Sequence, residues 1–143
     1  MRNLKRALSL GLTATMISGL MVMGSSAASY ADVTSKQNEE AIEVLKTVGI
    51  MVGDENGKFN PDAKVTRNEM AVVMSNLMAY NVASYKDTSP FTDVPEWAEP
   101  YVAACYTNGI TSGYDAKTYG GNDSVTTAQA ALMVMKALGY FQY

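Results

Sequence analysis

This chain predicts a mainly all-α fold, one helix-loop-helix unit used twice, and three observations carry that expectation. The first is self-similarity. Gly49-Ile50-Met51-Val52-Gly53 returns 60 residues later as Gly109-Ile110-Thr111-Ser112-Gly113. At the same offset Phe59 falls on Tyr119, Val65-Thr66 on Val125-Thr126 and Glu69 on Gln129, while Asp32-Val33 matches Asp93-Val94 with a one-residue shift. A spacing kept over this many glycine, aromatic and cap positions marks two copies of one supersecondary unit. The second is a pair of helix starts, Thr66-Arg67-Asn68-Glu69 and Thr126-Thr127-Ala128-Gln129. In each, the threonine oxygen can accept from the third helical amide while the Glu or Gln reaches back to the threonine N–H, a reciprocal capping box. The third is apolar residues at helical spacing beside each of these signals.

In the first copy, Asn38 to Val48 places Ala41, Ile42, Leu45 and Val48 on one helical stripe, and Gly49 ends the helix. The loop from Gly53 to Asp62 is rich in turn formers, and its Phe59 is expected to plug it onto the core. The Thr66 capping box then starts a helix whose stripe is Met70, Val73, Met74, Leu77 and Met78. The second copy repeats the plan: a lead-in from Pro90 to Pro95, a helix from Trp97 to Asn108, Gly109, a loop from Tyr114 to Asp123, and a helix from Ala128 to Leu138. That last helix is apolar nearly all round and so expects neighbours on more than one side. Residues 81–89 read as a linker or short helix. The organisation expected is a signal peptide over 1–31, copies over 32–80 and 90–143, and the linker between them.

The leader reading rests on Arg2, Lys5 and Arg6 ahead of an uncharged apolar run from Ala7 to Met23, then small residues from Ser26 to Ala31. This is the layout of an export signal, with cleavage after Ala28 or Ala31. The run is interrupted by glycine, threonine and serine, so no stable membrane span is expected after cleavage. Of 11 Lys and Arg, three lie in this segment, leaving 8 against 14 Asp and Glu and a formal charge of −6. Such an acidic chain lacks the basic footprint of a nucleic-acid partner.

Chemistry is constrained further by what is missing. The sequence holds no His, so Ser-His and Cys-His nucleophile pairs and His-based zinc sites are excluded. Cys105, the one cysteine, aligns with Leu45 and reads as a small core hydrophobe rather than a nucleophile. Asp54-x-Asn56-Gly57 resembles an acidic metal loop, but the sixth and twelfth positions from Asp54 are Phe59 and Val65, where a calcium loop needs Gly and Glu. No catalytic residue, metal or cofactor is expected.

Phe91-x-Asp93-Val94-Pro95-x-Trp97-Ala98, then Gly109-Ile110-x-x-Gly113, an aromatic and Val-Thr at a helix start resemble an S-layer homology repeat. The first copy resembles it through Gly49-Ile50-x-x-Gly53, Gly57-x-Phe59-x-Pro61 and Thr66-Arg67-Asn68-Glu69. The resemblance implies a helical bundle, usually of three repeats, that anchors exported proteins to the bacterial cell wall or S-layer. Its grooves would bind an acidic, often pyruvylated, secondary cell wall polymer linked to peptidoglycan. It places Arg67 in such a groove, flanked by Thr66, Asn68 and Glu69, with Asn68 where the family usually has Ala. A helix N-terminus with an Arg fork beside it suits a carboxylate. In the second copy Thr126, Thr127 and Gln129 take those places, without the cation. Asp93 and Trp97 are further candidates, Trp97 for stacking on a sugar, although burial as a core residue is the simpler expectation. Departures are Thr127 for Arg, Gly121 where Pro61 stands, and the missing third repeat, which a further repeat or a second chain would supply. The alternative is an assembly module whose repeats bind other proteins at the cell surface; wall affinity that depends on Arg67 separates the two.

Overall fold

The computed structural model describes residues 30–34 and 36–140. It contains helices α1 (Lys36–Thr47), α2 (Arg67–Leu77), α3 (Glu99–Thr107) and α4 (Thr127–Ala137), with a 3₁₀ turn at Val82–Tyr85 between α2 and α3. Among the described residues no strand forms; the only extended pairing is a bridge between Thr66 and Ser124. The expected helices are all present, with ends moved by one or two residues. Trp97 is the visible shift, lying in the turn ahead of α3 rather than inside it. The proposed leader falls outside the described residues except for Tyr30 and Ala31.

Both capping boxes form. Thr66 N–H donates to Glu69 Oε2 at 2.7 Å while Glu69 N–H donates to Thr66 Oγ1 at 3.2 Å. Thr126 and Gln129 repeat this at 2.9 and 3.2 Å. Helices α1 and α3 end alike. Gly49 and Gly109 take φ of 74° and 71°, and the following Ile50 and Ile110 amides reach back to Leu45 and Cys105. Only glycine adopts that left-handed conformation without a Cβ penalty.

The second glycine of each motif does different work. A Cβ on Gly113 would stand 2.3 Å from the Phe91 ring, and one on Gly53 2.7 Å from the Tyr30 ring. Each lead-in aromatic therefore packs against its glycine and against the loop aromatic, Phe91 on Tyr119 at 5.3 Å and Tyr30 on Phe59 at 5.5 Å between ring centres. Two residues after each lead-in aromatic, an aspartate holds the loop. Asp93 accepts from the Tyr119 and Gly120 amides at 2.7 and 2.8 Å, and Asp32 from Phe59 and Asn60 at 3.1 and 2.6 Å.

The core lies where α2 crosses α3. Val102, Ala103, Ala104 and Cys105 are fully buried, joined by Ala71, Met74, Ile110 and Tyr119. Small residues at the crossing let the backbones approach: Cys105 Sγ donates to Ala71 O and Ser75 Oγ to Tyr101 O, at 3.4 and 3.3 Å. Cys105 is thus a packed core thiol, and burial raises its pKa.

The aspartate clamps make stability acid-sensitive. Backbone donation, chiefly from Phe59 and Tyr119, holds the Asp32 and Asp93 carboxyls below their usual range. A carboxyl depressed in the fold stabilises above its unfolded pKa and loses that contribution as pH falls through the folded value. The melting temperature should therefore stay level near neutrality and fall below about pH 4. Asp93→Asn should lower it at neutral pH and flatten the acid slope. Circular dichroism melts across that range test both, and an acid slope unchanged in Asp93→Asn would remove the clamp from the account.

Candidate functional site

The two copies meet at the start of α2. The Arg67 and Asn68 amides, unpaired within their own helix as first-turn donors always are, donate to Asp123 O and Gly121 O, both at 2.9 Å. Val125 N–H donates to Val65 O beside them. Arg67 is 7% exposed. Its Nε donates to Tyr119 O at 3.1 Å and its Nη2 to Ser112 O at 2.7 Å. The guanidinium lies 4.5 Å from the Tyr119 ring centre and 4.9 Å from that of Tyr114. Tyr119 OH returns a bond to Arg67 O at 3.2 Å. Among the described residues Arg67 pairs with no carboxylate, and it is buried rather than laid along the surface; it joins the copies, and truncating it removes interface contacts as well as a cation.

Asn68 is 1% exposed and fills the space above Gly121, where a Cβ would stand 2.1 Å from its Oδ1. The two departures from the family pattern noted in the sequence are thus one complementary pair. The fit is tight enough to leave Asn68 Oδ1 without a hydrogen bond, while Nδ2 reaches Asn122 Oδ1 at 3.4 Å.

A cleft of about 250 Å³ opens beside this junction, lined by Arg67 of the first copy and, from the second, Ile110 to Tyr114, Gln129, Leu132, Met133 and Lys136. Arg67 and Lys136 give it two cations. Two guanidinium donors are committed to carbonyls; the rest of the fork has no partner among the described residues. Tyr114 closes one side and donates to Asp123 at 2.9 Å, a bond that raises the phenol's pKa.

Of the residues selected from sequence, only Arg67 and Gln129 line this cleft. Thr66, Glu69 and Thr126 serve the helix caps, Asn68 packs on Gly121, and Asp93 clamps the loop. Thr127 is exposed at the first turn of α4. Trp97 is 57% exposed and away from the cleft, which corrects the expectation of a buried core residue. Thr111, Ser112, Tyr114 and Lys136 were missed. The repeated Gly-Ile-x-x-Gly motif pointed at the first two, since it places their backbone; nothing in the spacing singled out Lys136.

The geometry defines a tandem helical repeat module with a small cationic cleft at the junction of its copies. The chain belongs to the S-layer homology domain family, whose profile matches residues 29–71 and 90–131. It is similar to the surface-layer 125 kDa protein of Lysinibacillus sphaericus, 31% identical over 130 residues covering 87% of this chain and 11% of that protein. It is also similar to a cell surface protein of Thermoanaerobacter kivui, 27% identical over 147 residues (98% and 19%). An endoglucanase of Bacillus sp. (strain KSM-635) matches at 28% over 153 residues (99% and 16%). The chain thus spans less than a fifth of the length of each of these relatives, and its family places it at the bacterial cell surface.

The Asn68–Gly121 fit yields a test of what holds the copies together. Gly121→Ala should cost about 1–3 kcal/mol through overpacking, and far less in an Asn68→Ala background. A double-mutant cycle by urea unfolding should then return a coupling of about 1 kcal/mol or more. Additive costs would show that this contact does not hold the interface.

Proposed function

We propose that this chain is a non-catalytic anchoring module that holds an exported protein to the bacterial cell wall by binding an acidic secondary wall polysaccharide in the cleft between its copies. The observation that carries this reading is the placement of Arg67 and Lys136 in one cleft of a strongly acidic chain. A net negative domain repels an acidic polymer except where cations are concentrated. The planar fork of Arg67 is pre-oriented by its bonds to Ser112 and Tyr119, so little rotamer freedom is lost when it grips a carboxylate. Pyruvyl groups are carboxylates of a size the cleft admits. That an endoglucanase carries the same module supports anchoring as a role separate from catalysis.

Co-sedimentation of the mature chain with cell walls tests the reading. It should pellet with native walls and stay soluble with walls stripped of their secondary polymer. Lys136→Gln, which alters a side chain with no hydrogen bond among the described residues, should weaken pelleting without loss of helicity; Arg67→Ala should weaken it too, with some loss of stability. Equal pelleting with both walls, or none with either, defeats the proposal.

Export requires the leader to leave the fold intact. Tyr30 is 5% exposed, with Lys46 Nζ 4.0 Å above its ring and Phe59 beside it. Cleavage after Ala31 would remove that ring, whereas cleavage after Ala28 keeps it. The secreted protein should begin at Ser29, which its intact mass would show; a mature chain beginning at Asp32 would contradict this.

A further inference from the structure

We infer that Tyr114 is a positioning residue of the cleft: tethered to Asp123 and seated on Gly120, its ring fixes the plane of the Arg67 guanidinium for an incoming carboxylate. The inference rests on the wall-binding reading and deepens it. Arg67 is a buried cation with no carboxylate partner among the described residues, an unfavourable arrangement unless something else compensates the charge. Two aromatic faces do so here, Tyr119 at 4.5 Å and Tyr114 at 4.9 Å from ring centre to Cζ. They differ in kind. Tyr119 is fully buried in the core, whereas Tyr114 is 59% exposed and lines the cleft.

The first copy shows what the counterpart loop does without such a ring. Asp54 stands in the place of Tyr114, Asn60 in that of Gly120 and Ala63 in that of Asp123. Asp54 accepts from the Asn56 and Lys58 amides and from Asn60 Nδ2, all at 2.9 Å. In the second copy Asp115, one place further on, takes over the amides, accepting from Lys117 and Thr118 at 2.8 Å. Position 114 is thereby free to carry a ring. Asn60 and Gly120 share a left-handed backbone, φ 55° and 71°, so the turn itself tolerates a side chain. The ring does not, since a Cβ on Gly120 would stand 2.2 Å from it. Asp123 completes the seat: its carboxylate accepts from the Tyr114 hydroxyl and its carbonyl from the Arg67 amide, both at 2.9 Å. The bond to Asp123 is the chief cause that raises the phenol's pKa, and the charge of Arg67 works against it, as befits a ring that touches both. Three differences between the loops thus serve one ring, on the loop that receives an arginine.

The consequence is for anion capture. Arg67 Nε and Nη2 are bonded to the Tyr119 and Ser112 carbonyls, and the Tyr114 ring adds a contact on the face of the fork. A guanidinium held by edge and face loses little freedom on binding, and a ring that excludes water beside it strengthens its attraction to a carboxylate. Asp123 makes the inference sharp. By charge alone, an acid beside a cationic cleft weakens anion binding; as the tether of the ring it strengthens binding. The two roles predict opposite signs when the carboxylate is removed.

Co-sedimentation titrations with native walls, with circular dichroism confirming the fold of each variant, test this. Tyr114→Leu, which removes the ring, should weaken binding roughly tenfold. Asp123→Ala and Tyr114→Phe should each weaken it about threefold. The double variant should lose no more than either single one, because all three break the same bond. Arg67 is the one arginine outside the leader, so its side-chain Nε–H gives a single NMR resonance that is read without walls. That resonance should move in Tyr114→Leu as the shielding of the ring is lost. Tighter binding by Asp123→Ala, or a Tyr114→Leu chain that pellets like its parent, overturns the inference while wall binding stands. An unmoved resonance overturns it whatever the walls do. No pelleting by the parent chain defeats the wall-binding reading and this inference with it.

Discussion

The structure depends on one contact, the seating of the first turn of α2 on the second copy's loop. A helix start carries amides with no partner inside the helix, and burying them unpaired costs free energy. Here the loop carbonyls of Gly121 and Asp123 take them up. Once those two bonds form, Asn68 must lie over Gly121 and Arg67 must thread between Tyr114 and Tyr119, because the backbone leaves each side chain nowhere else to go. The core where α2 crosses α3 is then set from both ends, by this seat and by the Cys105–Ala71 approach. Neither copy buries enough surface to stand alone, so the seat converts two marginal units into one fold.

The seat works only if the loop keeps its shape, and the repeated motifs exist to keep it. The first glycine of Gly-Ile-x-x-Gly ends a helix so that isoleucine turns inward; the second admits the lead-in ring. The aspartate two residues beyond that ring ties down the amides at the loop aromatic. Ring, glycine and carboxylate lie far apart in sequence, yet each copy brings them to the same few ångströms. These contacts, with Asp54 and Asp115 each accepting from two amides of their own loop, hold the path, so Pro61 and Gly121, or Asn60 and Gly120, can differ between copies without changing it.

The helices and caps were legible because their signals are local: a threonine and the residue three positions on, a glycine after an apolar stripe. Tertiary pairing was not. Asn68 and Gly121 looked like independent lapses from a pattern, since nothing local connects them. Arg67 was read as a groove ligand from the family resemblance; only the arrival of the Ser112 and Tyr119 carbonyls makes it a link between copies as well. Trp97 has the composition of a core residue, but its position one residue before the buried Ala98 turns it to solvent. Tyr30 was grouped with the leader because its neighbours are small, although its offset from Phe91 matches the one-residue shift already visible at Asp32 and Asp93.

Because the cleft takes its arginine from one copy and its other lining residues from the next, any affinity it has belongs to the junction rather than to a repeat. A ligand held there would also hold the copies together, since whatever binds the joined state stabilises it.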